Sequence, residues 1–108
     1  MSTSHLVNMA IQVLPTGRTK EDAYAIIDKA IEVIHTSGLT YEVCPFETVV
    51  EGSYAAVMQL LADIQDACKK AGANELLINM KLQCNFSGDV HIEDKTGKYK
   101  LSNHSTTT

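Results

Sequence analysis

Several features that would point to a particular partner are missing from this sequence. Arg18 is the only arginine, no basic run is longer than Lys69-Lys70, and the net charge is −4. Nucleic acids and anionic membranes bind proteins through a positively charged surface, so neither is expected as a partner. The chain has no apolar run near the ~20 residues that cross a bilayer, and it lacks a signal-peptide pattern. The sequence therefore predicts a soluble, cytoplasmic protein.

The motifs of common catalytic and metal sites are also missing. Three cysteines, Cys44, Cys68 and Cys84, are far apart and form no C-x-x-C pair, which favours lone buried thiols in a reducing compartment. The four histidines form no short-spaced pair. No nucleophile-elbow motif, phosphate-binding glycine loop or dinucleotide fingerprint occurs. The sequence thus predicts no metal, no cofactor and no catalytic reaction.

Length and composition indicate one small globular domain. The chain has 108 residues, of which 44% are apolar and 20% are charged. We expect the domain to span residues 1–100. The polar, threonine-rich segment 101–108 is predicted to be a disordered tail.

Hydrophobic periodicity predicts an alternation of strands and helices. Residues 5–14 alternate as a strand does, and a capping box that starts at Thr19 opens an amphipathic helix that ends before Gly38. The predicted elements are a strand at 5–14, a helix at 20–37, strands at 39–44 and 47–51, a helix from Gly52-Ser53 to Ala71-Gly72, and a strand at 76–84. Residues 89–95 fit either a short strand or one helical turn, and Thr96-Gly97 interrupts both.

This order predicts a ferredoxin-like α+β sandwich of βαββαβ topology. Its antiparallel sheet has two helices on one face, and its first and third strands are central. Alternation along the strands leaves a largely polar opposite face, with Asn8, Gln12, Asn79, Lys81 and Gln83. The second strand adds Thr40 and Glu42 to this face or, in a shifted register, Tyr41. Such a face either meets solvent or joins another subunit and leaves a polar pocket at the seam.

The hairpin around Pro45 concentrates the groups best suited to a ligand. Glu42, Glu47 and Glu51 lie close together in sequence, but no nucleophile stands near them, so a carboxylate at a pocket edge fits a cationic or amino-bearing ligand better than acid–base catalysis. Thr48 offers a hydroxyl, and Phe46 offers a ring for stacking or a cation–π contact. Phe46 fits equally as an interface or core aromatic, and Thr48 as a strand former.

The segment from Tyr41 to Gly52 resembles the Y-E-x-x-P-x-x-T-x-x-E-G signature of the small thiamine-binding proteins. Ile11–Pro15, the two helix endings at Ser37-Gly38 and Ala71-Gly72, and residues 92–95 are also similar to that family. The resemblance implies a ferredoxin-like fold, dimers paired into a tetramer, and binding of thiamine or its hydroxymethylpyrimidine moiety. The positions of this chain that match the family motif are Pro45, Thr48, Glu51 and Gly52, with Glu42 as a further match. Thr96-Gly97 departs from the helix that the family continues there.

Our leading hypothesis is a non-catalytic carrier or buffer that binds thiamine or hydroxymethylpyrimidine. The predicted ligand-binding residues are Thr48, Glu51, Glu42, Phe46, Gln12, Asn8 and Asn79. One alternative is a structural or regulatory homo-oligomer that binds no small molecule. Another is an enzyme that acts on a thiamine-related pyrimidine.

Overall fold

The computed structural model describes the backbone of residues 5–106 and the side chains of residues 5–99. It forms a small α+β domain with one four-stranded antiparallel sheet and three helices. In chain order the elements are β1 (Leu6–Pro15), α1 (Lys20–Thr36), β2 (Thr40–Val43), β3 (Thr48–Ser53), α2 (Tyr54–Lys70), β4 (Leu76–Gln83) and α3 (Ile92–Thr106). The strand order is β2-β3-β1-β4, so the predicted central and edge strands are confirmed.

Helices α1 and α2 begin and end where the capping residues predict. The Thr19 hydroxyl accepts a hydrogen bond from the backbone N–H of Asp22 at 3.2 Å, and Ser53 does the same for Ala56 at 3.1 Å. Each hydroxyl satisfies an N–H that has no partner within its own helix.

The hydrophobic core lies between the sheet and the pair α1 and α2. Val7, Met9 and Ile11 alternate along β1 toward the helices, because successive strand residues point to opposite faces. Helix α1 contributes Ile26, Ala30 and Ile34, and α2 contributes Val57, Leu60, Ile64 and Cys68. Burial raises the pKa of the Cys68 thiol, which keeps this core residue neutral. Both helices therefore cover one face of the sheet, as predicted.

The prediction of buried thiols is correct only for Cys68. All three cysteines are free, but Cys44 is half-buried and Cys84 is exposed. Cys84 directly follows β4, which is an edge strand of the sheet. Met80 and Leu82 on that strand are consequently exposed as well, although their alternation is that of a covered face.

Helix α3 is the main departure from the predicted topology. The predicted interruption at Thr96-Gly97 is wrong, because the helix continues through both residues and its backbone extends into the predicted tail as far as residue 106. Residues 1–4, 107 and 108 lie outside the described residues. In the described chain, no helix has the length and apolar character needed to span a membrane. No group of three or more His, Cys, Asp and Glu side chains within the same residues is arranged to hold a metal ion.

Candidate functional site

A groove of ≈ 320 Å³ opens between α1 and the closed end of the β2–β3 hairpin. Ile11 and Val13 of β1 form its floor, and Ile27 and Ile31 of α1 form one wall. The other wall consists of hairpin residues 43–48. Small-molecule sites usually measure about 300–1,000 Å³, so the groove has room for one compact ligand.

The hairpin turn explains why an aromatic ring stands at the mouth of the groove. The backbone N–H of Cys44 donates to the Glu47 carbonyl at 2.9 Å, which closes the chain around Pro45 and Phe46. Phe46 occupies the tip of this turn, with 82% of its surface exposed. Its ring therefore lies beside the groove without being part of the core.

Thr48 supplies a polar group inside this apolar groove. It pairs in register with Ile11, so its side chain points to the same face as the core, and only 7% of its surface is exposed. Among the described residues its hydroxyl has no hydrogen-bond partner, yet the oxygen is not sealed from solvent. A buried hydroxyl of this kind is free to bind a polar atom of a ligand.

Glu47 is the only charged residue among the described residues that line the groove. About a third of its side chain is exposed, and its carboxylate lies 3.8 Å from Lys81, which pairs in register with Ala10 on the opposite face of the sheet. No lysine, arginine or histidine belongs to the lining formed by the described residues. The groove therefore suits a neutral or cationic ligand better than a phosphate-bearing one.

The polar residues of β1 and β4 lie on the opposite face of the sheet, as the alternation predicted. Asn8 pairs in register with Gln83, and Gln12 pairs with Asn79. The Asn79 amide donates to the Gln12 side-chain oxygen at 3.1 Å. This exposed pair forms a hydrogen-bonded patch on the sheet, although Gln12 also borders the groove through its place on β1.

Glu51 holds the start of helix α3 against this second face. One carboxylate oxygen accepts from the backbone N–H of Ile92 at 2.6 Å, and the other lies 3.2 Å from His91 Nδ1. Only 13% of the Glu51 side chain is exposed. The hydrogen bond to Glu51 raises the pKa of His91, although partial burial opposes the shift. The Glu51 carboxylate is therefore engaged in fixing α3.

The Asn8 side chain also binds the start of α3 and the residues that lead into it. Its amide donates to the Val90 carbonyl at 3.0 Å, and its oxygen accepts from Lys95 at 3.0 Å. Because the side chain is buried, both contacts satisfy groups that water does not reach.

The seven predicted site residues thus fall into two groups. Thr48 and Phe46 lie at the groove, while Asn8, Glu51 and the Gln12–Asn79 pair lie on the opposite face. Glu42, opposite Val49 in the register, belongs to that second face. Thr48 and Glu51 are three positions apart on β3, an odd spacing that places them on opposite sides of the strand.

Sequence reasoning missed the wall of the groove that α1 provides. Tyr24, Ile27 and Ile31 follow one another at helical spacing, and all three line the groove. The spacing of the two isoleucines is also that of the apolar stripe by which an amphipathic helix packs on a core. The signal available was the width of that stripe, which includes residues beyond the buried Ile26, Ala30 and Ile34.

A family model described as thiamine-binding protein matches residues 9–100 of this chain. The chain belongs to the thiamine-binding protein family. A UPF0045 protein of Clostridium perfringens (strain 13 / Type A) is 33% identical over 93 residues, which cover 86% of this chain and 96% of the relative. Both matches extend over nearly the whole domain.

Two solved structures of the same fold agree with this assignment. A domain of unknown function, DUF77, from Bacillus cereus is 40% identical with a TM-score of 0.82, covering 89% of this chain and 91% of that one. A candidate thiamine biosynthesis/salvage protein from Thermotoga maritima is 29% identical with a TM-score of 0.79, covering 87% and 98%. Family membership and fold are thereby established together.

Proposed function

We propose that this protein binds thiamine or its hydroxymethylpyrimidine moiety in the groove between α1 and the β2–β3 hairpin, without catalysing a reaction on it. The observation that carries the proposal is the Thr48 hydroxyl, which has no hydrogen-bond partner within the described part of the chain and lies in a groove whose other walls are largely apolar. Membership of the thiamine-binding protein family supports the choice of ligand. The proposal requires no cofactor.

The chemistry of the groove matches the two rings of thiamine. An aminopyrimidine has apolar faces for the isoleucine walls, ring nitrogens that accept a hydrogen bond, and an amino group that donates one. The Thr48 hydroxyl can serve either role. The thiazolium ring is cationic, and Phe46, which lines the groove, offers a ring face to a cation.

The groove also favours the unphosphorylated vitamer. A diphosphate needs cationic partners, and the described lining contains none. We therefore expect thiamine and hydroxymethylpyrimidine to bind more tightly than thiamine diphosphate. This order of affinities is the one expected of a carrier or buffer of the free vitamin.

Calorimetric titration with thiamine, hydroxymethylpyrimidine and thiamine diphosphate tests the proposal. We expect Thr48→Val to weaken binding roughly 3- to 10-fold, the effect of one lost hydrogen bond. Thr40→Val is the matched control, since this exposed threonine lies on β2 outside the groove and should leave affinity unchanged.

Two outcomes would refute the binding site. Absence of binding heat for all three compounds would exclude thiamine and its derivatives as ligands. Equal affinities of the wild type and Thr48→Val would place the ligand elsewhere, and Glu51→Gln would then be the variant to compare next.

The same proposal includes self-association as a dimer of dimers in the cytoplasm. Strand β4 is an eight-residue edge of the sheet, and it leaves Leu77, Met80 and Leu82 exposed. Unpaired edge strands with apolar side chains usually need a cover, and a second copy supplies one.

A further inference from the structure

A second cavity, of ≈ 280 Å³, lies on a different side of α1 from the groove. It is lined by Arg18, Asp22, Ala25, Ile26, Lys29 and Ala71. Arg18 stands in the loop before α1, and Ala71 caps the end of α2, so the cavity occupies the junction of the two helices. It shares no lining residue with the groove.

Among the residues that the structure describes, the Arg18 guanidinium in this cavity has no hydrogen-bond or ion-pair partner. Its Nε is buried without a hydrogen bond, and no described residue forms an ion pair with this side chain. Asp22 lines the same cavity without pairing with it. The guanidinium lies next to Gly72, since its Nη2 is 3.8 Å from where a Cβ on that glycine would stand.

Lys29 adds a second positive charge to the cavity. Its ammonium lies 3.9 Å from Glu32 on the exposed surface of α1, a loose contact that leaves it able to turn toward the cavity. Two cations and the single carboxylate of Asp22 give the lining a net positive charge. This excess is notable in a chain whose overall charge is −4.

We propose that this cavity binds a small oxyanion, with the Arg18 guanidinium as its principal contact and Lys29 as the second cation. The planar guanidinium donates paired N–H groups that match the oxygens of a carboxylate or a phosphate. An oxygen of the anion would satisfy the buried Nε. Asp22 opposes a high negative charge, so a singly charged carboxylate binds at least as well as phosphate.

Thermal unfolding of the full-length protein in sodium acetate, sodium phosphate or sodium chloride of equal ionic strength tests the site. The melting temperature of the wild type should rise saturably with acetate or phosphate and not with chloride, since a ligand that binds the native state stabilises it. The acetate and phosphate arms distinguish a carboxylate ligand from a phosphate ligand.

Three variants identify the contacts. Arg18→Gln should abolish the anion-dependent rise, and Lys29→Gln should weaken the apparent affinity several-fold. Lys69→Gln is the matched control, because this exposed lysine of α2 does not line the cavity and should retain the wild-type response. If Arg18→Gln is poorly folded, Arg18→Lys replaces it; that variant keeps the charge but loses the planar pair of donors, so its response should be weaker.

The proposal is overturned by any of three results. These are a rise that chloride reproduces, a wild type that no oxyanion stabilises, and an arginine variant with an unchanged response. None of these results would contradict vitamin binding at the groove, which calorimetry measures independently.

Discussion

The position of Gly52 on β3 leaves no room for a side chain. It is buried, and a Cβ at this position would lie 3.1 and 3.2 Å from the two methyl carbons of Leu39 and 3.5 Å from Val57. Its backbone has an ordinary strand conformation, since the described glycines with positive φ are found elsewhere. The glycine of the family signature therefore allows α2 and the Leu39 side chain to pack closely on the sheet.

We expect Gly52→Ala to lower the free energy of unfolding by about 1–3 kcal/mol, the usual effect of overpacking a core. Because Leu39 is the residue in the way, the loss should be smaller in a Leu39→Ala background than in the wild type. Chemical denaturation of the four proteins measures both effects. Gly88→Ala, which has nothing within 4 Å, is the control and should change stability little. Strictly additive losses would show that Leu39 is not the obstacle.

The contrast between Thr48 and Glu51 shows how far sequence reasoning reaches at this scale. Both belong to one signature, and the sequence correctly predicted that each lies on β3 or at its end. Their separation follows from the strand geometry once the register is known. What the sequence could not supply was the partner of Glu51, because Ile92 is 41 positions away.

Among the elements, the six from β1 to β4 were predictable and α3 was not. The first six have apolar residues at strand or helix spacing, and their ends carry Thr19, Ser53 and the terminal glycines. Helix α3 has no apolar stripe and contains Gly97. It is held by polar contacts from Asn8 and Glu51, so the residues that stabilise it lie outside its own sequence and no local pattern predicts it.

The contact between His91 and Glu51 should make the attachment of α3 depend on pH. The pKa of His91 is raised mainly by its hydrogen bond to Glu51, and the charges of Glu51, Asp94 and Asp89 also raise it. Since the folded value exceeds the unfolded value of about 6.5, the stabilisation is complete below that pH and is lost as pH rises through the folded pKa.

Two NMR measurements check this expectation. The protection of the Ile92 amide against hydrogen exchange, corrected for intrinsic rates, should fall as pH rises above about 6.5. In Glu51→Gln the pKa of His91 should move down toward its ordinary value. His91→Gln should remove the pH dependence of protection. A His91 pKa that is identical in the wild type and in Glu51→Gln would contradict the linkage.

At the scale of the whole molecule, the two faces of the sheet differ in how they are covered. The face under α1 and α2 contains the core, whereas α3 covers only the Asn8–Glu51 end of the other. Strand β4 packs Leu76 and Ile78 against the core but leaves an apolar side chain exposed on each face, Leu77 on one and Met80 on the other. A lone copy thus leaves apolar surface in water next to an unpaired strand.

We expect the purified protein to sediment as an oligomer and Met80→Lys to shift it toward the monomer. A charge on this strand would be buried without a partner in an interface along β4. Ala62→Lys is the control, since this exposed α2 residue lies away from β4 and should leave the assembly intact. Analytical ultracentrifugation measures the masses. A monomeric wild type, or an unchanged Met80→Lys oligomer, would exclude this interface.

The attachment of α3 has a further consequence for how the chain encodes its structure. The first backbone N–H of the helix is capped by a carboxylate on β3, and Lys95 reaches Asn8 across 87 positions of sequence. The information that specifies this helix is therefore divided among three distant segments. A peptide with the sequence of α3 alone would lack the contacts from β1 and β3 that stabilise the helix. One substitution at Glu51 would therefore destabilise a helix whose own residues had not changed.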